Sequence, residues 1–423
     1  MSLFTLSVAE GSNRVRILSR WRQLFVFLAV LGPGFITSNV DNDAGGITTY
    51  SIAGAHFGYR FLWAFVPITF LLIIIQEMSA RMGVVTGKGL SDLIREQFGV
   101  KITFYLLIIL VAANYANTVA EFSGVAASLE IFGIGRQWTV PIAGILVWLL
   151  AVKGTYKSVE KIFLVATLFY AAYIVTGFMA RPNWGDVAQG FAVPKLNFNP
   201  GEIGILIALV GTTIAPWMQF YLQSAIVEKD VKIEHLKFSR FDVIAGSVVV
   251  SIVAAFIVIA CAATLHVQAV PISTAEEAAL ALKPLAGEYA AFLFSFGLLN
   301  ASLFAASILP LSTAYVVCEG MGWEAGVNKT FAEAPQFYGF YSLLILMGVL
   351  TVVVPGLPLI KVMYWSQVLN GILLPLTLAF MVVIINKPKV MGNYVNKKFV
   401  NYVTIAAVAI LTFLSLSLVI SAF

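Results

Sequence analysis

The chain has 423 residues, of which 60% are apolar and 11% are charged, and its mean hydropathy is +0.92. This composition excludes an ordinary soluble domain and indicates an integral membrane protein whose surroundings are the lipid bilayer. The net charge of +5 does not indicate a nucleic-acid partner, because the basic residues are scattered through short segments between apolar runs. We predict no obligatory protein partner.

Eleven apolar segments approach the ~20 residues that cross a bilayer as a helix, which predicts an all-α protein with eleven transmembrane helices. The segments lie at 22–55, 60–81, 102–131, 138–152, 158–180, 202–227, 240–268, 287–318, 336–355, 357–386 and 399–422. Most of the 26 Lys and Arg residues fall between spans on the side of the N-terminus. The positive-inside rule therefore predicts a multi-pass protein of the cell (inner or plasma) membrane, with its N-terminus cytoplasmic and its C-terminus extracytoplasmic.

An enzyme is not indicated by the residue inventory. The longest segments between spans, about 181–201 and 269–286, are too short for a catalytic domain. None of the three histidines has a second His or a Cys at ligand spacing, and no Gly-rich phosphate loop is present. Cys261 and Cys318 fall in apolar runs and are predicted to be small core residues.

The first span is interrupted by polar and small residues, which an unbroken membrane helix would not contain. They are Asn39, Asp41, Asn42, Asp43, Ala44, Gly45 and Gly46. An ionised carboxylate at membrane depth costs several kcal/mol, and irregular backbone occurs there only where protein or a water-filled cavity satisfies it. A glycine kink with Asp43 as a helix cap would explain part of the pattern, but not the other polar residues in the same turn. The stretch predicts a broken helix whose break forms a site.

The sixth span carries a second break between Gly211 and Pro216, with Thr212 and Thr213 between them. Alone, Pro216 would indicate an ordinary proline kink. Two interrupted helices at corresponding positions of successive five-helix units are instead typical of an inverted-repeat transporter with its substrate near the midplane. The predicted units are residues 1–180 and 181–386, followed by an eleventh helix at 387–423.

The donors near the two breaks are oxygen atoms. The candidates are Asp43, backbone carbonyls near Thr212, and the side chains of Asn39, Asp41, Asn42 and Thr213. Hard oxygen ligands without a thioether or imidazole suit Mg²⁺, Ca²⁺ or Mn²⁺. The small residues Ala44, Gly45, Gly46 and Ala215 leave space for an ion that keeps much of its water shell, as Mg²⁺ does.

Several stretches resemble the natural resistance-associated macrophage protein (NRAMP) family of divalent-metal transporters. They are Gly32–Phe35, Ala80–Lys88, Ala120–Gly124 and Ser366–Val368. The resemblance covers essentially the whole chain and implies a LeuT-like fold of five plus five inverted helices, with helices 1 and 6 broken. It also implies a divalent metal ion as transported substrate and no resident cofactor.

The departures from the family pattern concern the site itself. The family motif Asp-Pro-Gly-Asn stands here as Asp43 to Gly46, and its Met-Pro-His stands as Ala215 to Trp217. The loss of the asparagine and of the thioether resembles the NRAMP-related magnesium transporter branch, which implies Mg²⁺ as substrate, with Mn²⁺ also accepted.

Proton coupling is the second point on which the chain departs from the family. Family members couple metal to protons through a sixth-helix histidine, third-helix acids and ninth-helix arginines. Trp217 and Thr118 occupy two of these positions, and the ninth span has no Lys or Arg, so only Glu121 persists. The resemblance then implies uncoupled transport. Glu121 has either a gating or a structural role, and Gln367 and Asn370 contact either the ion's water shell or another helix.

Four alternatives stay open on the sequence. The first is a proton-coupled Mn²⁺ or transition-metal NRAMP transporter. The second is a cation or amino-acid carrier on the same fold, against which Asp43 argues because it favours a cation. The third is a channel, which requires a continuous pore; an intramembrane enzyme is the weakest interpretation.

Overall fold

The computed structural model describes residues 32–153 and 171–421, and all regular structure in that part of the chain is helical. The predicted spans at 22–55 and 158–180 therefore lie partly outside the described residues. The α-helices are α1 (Pro33–Asn39), α2 (Ala44–Phe57), α3 (Leu62–Thr86), α4 (Leu90–Phe98), α5 (Val100–Glu130), α6 (Arg136–Lys153), α7 (Ala171–Met179), α8 (Trp184–Ala192), α9 (Pro200–Thr213), α10 (Pro216–Glu228), α11 (Leu236–Cys261), α12 (Ala275–Ala279), α13 (Lys283–Ala286), α14 (Ala290–Met321), α15 (Pro335–Val353), α16 (Leu359–Ile385), α17 (Pro388–Met391) and α18 (Lys398–Ser421).

Eight helical segments in the described residues are long and apolar enough to cross a membrane, and Arg136–Leu150 is a shorter apolar helix. The first predicted span is divided into α1 and α2, and α7 is the described part of the fifth. The count of eleven transmembrane helices stays a prediction.

One predicted boundary is clearly wrong. The apolar pattern predicts that the second span ends at residue 81, but α3 continues to Thr86. Arg81 is buried within this helix because it pairs with Glu77 at 3.0 Å and donates to the carbonyl of Tyr394 and the side chain of Asn396. A charged residue with such partners need not mark the end of a span.

The first break forms because the chain leaves helical geometry between α1 and α2. A 3₁₀ turn, Val40–Asn42, follows α1, and Asp43 then adopts an extended conformation as the N-cap of α2. Its side chain accepts a hydrogen bond from the Gly46 amide, which satisfies one of the free donors at the start of α2.

The second break has a different local cause. Ile214 leaves helical geometry, with φ −134° and ψ 65°, and ends α9. Ala215 is extended, and Pro216 begins α10 at a position where its missing N–H costs nothing. Both predicted breaks are therefore present.

The broken sixth helix lies at the centre of the molecule. The most apolar window of the segment Pro200–Glu228 is 100% buried, whereas that of Lys398–Ile420 is 22% buried. Gly211 of α9 packs against the backbone of Gly371 in α16, where an added Cβ would lie 2.3 Å from the Gly371 nitrogen. Such close backbone contact fixes α9 against α16.

Candidate metal-ion site at the two helix breaks

Asp43 lies at the junction of α1 and α2 and is 5% exposed. One carboxylate oxygen accepts from the Gly46 amide at 2.6 Å. The carboxyl group of Glu121, on α5, lies beside Asp43, because it accepts a hydrogen bond from the amide of Ala44, the next residue in the chain. The structure thus brings two acidic side chains together that are far apart in the sequence.

Glu121 is fully buried, and one of its oxygens accepts from the Ala44 amide at 3.2 Å while the other has no protein partner. It therefore contacts α2 directly, next to Asp43. The hydrogen bond to Ala44 is the predicted structural contact, and the gating role of Glu121 stays a prediction.

Asp41 and Asn42 occupy the 3₁₀ turn and are buried to 1% and 0% exposure. Neither carboxylate oxygen of Asp41 and neither polar side-chain atom of Asn42 has a hydrogen-bond partner. Buried polar groups without a partner are costly in a protein interior. Four such atoms in one turn indicate that the turn binds water or a ligand. Asn39, the fourth polar residue of the predicted stretch, is the last residue of α1.

The sixth helix contributes Thr212 and Thr213 at the end of α9. The Thr212 hydroxyl is buried without a partner and lies near Gly46, since an added Cβ there would be 3.1 Å from it. The Thr213 hydroxyl instead bonds to the Leu209 carbonyl at 2.8 Å and to the Tyr50 hydroxyl at 2.9 Å. Thr212 is free to bind a ligand, whereas Thr213 links the two broken helices.

Gly45 and Gly46 lie where a side chain cannot fit. A Cβ on Gly46 would be 2.0 Å from the Asp41 carbonyl oxygen, and one on Gly45 would be 1.8 Å from the Gln367 amide nitrogen. Both glycines therefore let other groups approach the break. The space predicted beside Asp43 is occupied in part by the Asp41 carbonyl and the Gln367 side chain.

Gln367 and Asn370 lie on α16, and both are buried. Asn370 exchanges two amide hydrogen bonds with Asn117 of α5, at 2.8 and 3.0 Å, and donates a third to Gln367. Of the two predicted alternatives, helix packing accounts for Asn370, while Gln367 lies against the break.

Ala215 and Trp217 flank Pro216 and are each 2% exposed. The side-chain amide of Gln219 is oriented so that its nitrogen donates to the Ala215 carbonyl at 2.7 Å. This carbonyl therefore already has a hydrogen-bond partner. The Trp217 carbonyl accepts from Ser312 at 3.2 Å. These residues shape the second break without adding a free donor atom that the structure identifies.

Two buried polar residues, Tyr50 at the breaks and Asn117 behind Asn370, were not among the predicted site residues. Tyr50 is fully buried and joins α2 to the end of α9. Asn117 lies one helical turn before Glu121 on α5, and a polar stripe at Asn114, Asn117, Thr118 and Glu121 is visible in the sequence at helical spacing. That spacing is the signal that would have identified it.

The described residues contain no group of three or more His, Cys, Asp or Glu side chains placed to hold a metal ion. The acidic groups at the break are instead accompanied by hydroxyl, amide and carbonyl oxygens. Two neighbouring carboxyl groups in a buried site repel each other unless a proton or a cation lies between them. Such a site suits a cation bound partly through water.

A bundle of apolar helices with two central breaks and buried carboxyl groups defines a membrane transporter of the inverted-repeat class. Comparison with known proteins identifies its family. A family model described as natural resistance-associated macrophage protein-like matches residues 34–421. The chain belongs to the Nramp family.

Individual relatives agree with this assignment. The chain is 28% identical over 388 residues to the divalent metal cation transporter MntH of Erwinia tasmaniensis, covering 88% of this chain and 89% of that protein. Among solved structures, a manganese transporter of Eremococcus coleocola matches with a TM-score of 0.78 at 22% identity, covering 95% of this chain and 88% of that one. Mhp1, a nucleobase-cation-symport-1 family transporter, matches with a TM-score of 0.61 at 14% identity, covering 92% and 91%.

These findings confirm the LeuT-like fold with broken helices 1 and 6, the Nramp resemblance, and the expectation that the chain is a multi-pass membrane transporter and not an enzyme. The residue limits of the two repeats and the orientation of the termini stay predictions.

Proposed function

We propose that this chain is a divalent metal cation transporter that carries Mg²⁺, and Mn²⁺ as a second substrate, across the cell membrane. Family membership and the name of the Erwinia tasmaniensis relative support divalent metal transport. The preference for Mg²⁺ rests on one observation: the donors at the two breaks are oxygen atoms, and Ala215 offers no thioether. Oxygen ligands without a soft partner favour a hard cation.

The unpartnered atoms of Asp41, Asn42 and Thr212 support a hydrated ion. Mg²⁺ holds its water shell firmly and is usually bound through one or two carboxylates with several waters retained. Asp43 supplies the central carboxylate, and the buried amide and hydroxyl groups would accept or donate hydrogen bonds to the ion's waters. The ion in turn would compensate the charge of the buried carboxyl groups.

The mechanism that follows is alternating access around the two breaks. The broken helices move against the rest of the bundle and open the site to one side at a time. With a negative cell interior, the membrane potential contributes ~2.3 kcal/mol per charge per 100 mV, and twice that for a dication. Uptake of this kind needs no proton gradient.

A proton-coupled manganese transporter is the second candidate. The solved structure with TM-score 0.78 is described as a manganese transporter, and Glu121 beside Asp43 is a carboxyl group able to carry a proton. Against coupling, Trp217 takes the place of the family histidine, and α15 contains no Lys or Arg.

The test is Mg²⁺ uptake into proteoliposomes that contain an Mg²⁺ dye, with luminal pH recorded in parallel. We expect saturable uptake that is lost in Asp43→Ala and retained in Asp186→Ala, a matched removal of an exposed carboxylate on α8. Luminal pH should not change with metal entry. Absence of Mg²⁺ uptake by the wild type, or acidification in step with metal entry, would contradict the proposal and favour proton-coupled Mn²⁺ transport.

A further inference from the structure

The N-terminus of α1 is held by a side chain from a distant helix. α1 has no side-chain cap from its own neighbouring residues, and its N-cap position is Gly32. The carboxylate of Asp242, on α11, accepts from the amides of Gly32 at 3.1 Å, Gly34 at 2.7 Å and Phe35 at 3.2 Å. One buried side chain therefore accepts hydrogen bonds from three backbone amides at the start of α1.

The chemistry of this contact is favourable in two ways. Amides at the start of a helix lack intrahelical partners, and the helix dipole places partial positive charge there. A carboxylate satisfies both demands, and hydrogen bonds to an ionised acceptor are stronger than neutral ones. Asp242 is 2% exposed, so water competes little for these amides.

Close backbone packing accompanies the hydrogen bonds. A Cβ on Gly34 would lie 2.9 Å from the backbone nitrogen of Val243, and one on Gly246 would lie 2.8 Å from the Cα of Phe35. The two glycines bring α1 and α11 into direct contact, so α1 rests on α11 along its first turn.

The other end of α1 leads directly into the turn that contains Asp41 and Asn42. A short half-helix fixed at one end by Asp242 thus carries part of the candidate site at its other end. If α1 moves away from α11, the turn moves with it and the break opens toward the side of the membrane on which α1 begins.

We propose that Asp242 is a positioning residue that latches α1 against α11 and so holds the break closed on the N-terminal side. The latch must open when the site releases an ion to that side, which is the cytoplasm in the proposed orientation. The latch rests on the proposed transport function in one respect only: the movement of α1 is taken to release the transported ion. It adds a residue outside the ion site to the transport cycle.

The test measures the accessibility of α1 without any metal. Ser38, near the end of α1, is fully buried, and its hydroxyl has no partner. The two native cysteines are buried, and replacing both by alanine leaves Ser38→Cys as the single reactive thiol of the chain. The thiol is labelled with a membrane-impermeant maleimide in lipid nanodiscs with EDTA, where both faces are accessible.

We expect Asp242→Ala to raise the labelling rate at Ser38→Cys by about tenfold or more, as loss of a strong helix cap would. Asp242→Asn should raise it less, but still by more than about twofold, because one amide oxygen still accepts while the negative charge is lost. Ser247→Ala is the matched control: Ser247 is buried on the same helix and its hydroxyl has no partner, so the rate should not change.

Two results would overturn the latch. One is a labelling rate in Asp242→Ala within about twofold of the parent; the other is an equal rise in Ser247→Ala. If Asp242→Ala does not yield a monodisperse protein, the Asp242→Asn variant decides by the same two criteria. Because no metal is present, a failed latch leaves the Mg²⁺ proposal intact, and a failed Mg²⁺ proposal does not alter the labelling rates.

Discussion

Gly46 determines how closely the two sides of the first break approach each other. The Asp41 carbonyl lies where a side chain on residue 46 would begin, and the Thr212 hydroxyl lies just beyond it. A side chain at position 46, including the asparagine that the family motif has there, would require the turn to move. In this chain the Asp41 backbone carbonyl therefore occupies the position where that asparagine side chain would begin.

Substitution of Gly46 by alanine tests this close approach. The added Cβ would meet a backbone atom at 2.0 Å, so the turn must shift. We expect a loss of ~1–3 kcal/mol of stability, typical of overpacking, together with loss of ion uptake. Thermal unfolding in detergent and Mg²⁺ uptake measure the two effects.

Gly297→Ala is the control for that substitution. Gly297 lies within α14, and an added Cβ there would meet no atom within 4 Å. The change should leave uptake intact and stabilise the helix by up to ~1 kcal/mol. Equal behaviour of the two variants would show that the approach at Gly46 is not tight.

A thioether at position 215 should change ion selectivity. Ala215→Met places a flexible, polarisable sulfur beside the second break, and soft ligands favour Mn²⁺ and Cd²⁺ over Mg²⁺. We expect the ratio of Mn²⁺ to Mg²⁺ uptake to rise by about tenfold, which corresponds to ~1.4 kcal/mol. Ala215→Leu has nearly the same volume without the sulfur and should not raise the ratio; an equal rise with leucine would exclude a role for the sulfur.

The sequence could predict Asp43, because an acidic residue before two glycines in an apolar span is costly and is typical of a functional site. It could not predict that Tyr50 joins Thr213, or that Gln367 lies against Gly45. Those contacts depend on the packing of α2, α9 and α16, and the spacing of residues along one helix carries no information about them. Asp242 was missed for the same reason.

At the scale of elements, the helices were predicted well where apolar length alone defines them. α14 and α16 begin and end within a few residues of the predicted limits. The sequence predicts only a connection at 181–201, but this segment contains the helix α8, whose N-cap Asn183 accepts from the Gly185 amide. Short amphipathic helices give no signal in a search for apolar spans.

Asn117 of α5 and Asn370 of α16 form a reciprocal amide pair. We expect this pair to affect both the stability of the bundle and the rate of transport. Asn117→Ala and Asn370→Ala each leave a buried amide unsatisfied, so the double variant should lose less stability than the sum of the single variants. A coupling of ~0.6 to 1.7 kcal/mol is expected for such a pair in a membrane protein. All three variants should also transport more slowly, because Asn370 also supports Gln367 at the break.

A second reciprocal amide pair provides the control. Asn386, which follows α16, and Asn401 of α18 exchange two hydrogen bonds of 2.8 Å. Breaking this pair should reduce stability in the same coupled way but leave uptake per folded molecule unchanged. If both pairs affect uptake equally, Asn117 and Asn370 have no special relation to the site.

For the whole molecule, the buried fractions of the sixth and the last helix differ, because the sixth lies at the centre and the last at the periphery. α9 and α10 are enclosed by other helices, while the apolar window that includes most of α18 is only 22% buried and its remaining surface suits lipid. The family fold explains this distribution, since the breaks must lie at the centre if both are to contact one ion. The apolar pattern alone does not distinguish a central span from a peripheral one.

The orientation of the chain can be tested through α18. The segment between α16 and α18 carries Lys387, Lys389 and Lys397, and short basic segments stay in the cytoplasm. We expect a fluorescent protein fused after Lys397 to be cytoplasmic and bright. Alkaline phosphatase, which needs disulfides that form outside the cytoplasm, should be active only when fused after Phe423.

Because α18 is largely peripheral, truncation after Lys397 should leave the rest of the bundle in place, so the two fusions report on the same protein. The truncated chain retains Asn396, which Arg81 contacts at 2.5 Å. The opposite pattern, with phosphatase activity after Lys397 and fluorescence after Phe423, would reverse the orientation. α1 would then open to the outside, and the Asp242 contact would control ion entry instead of release.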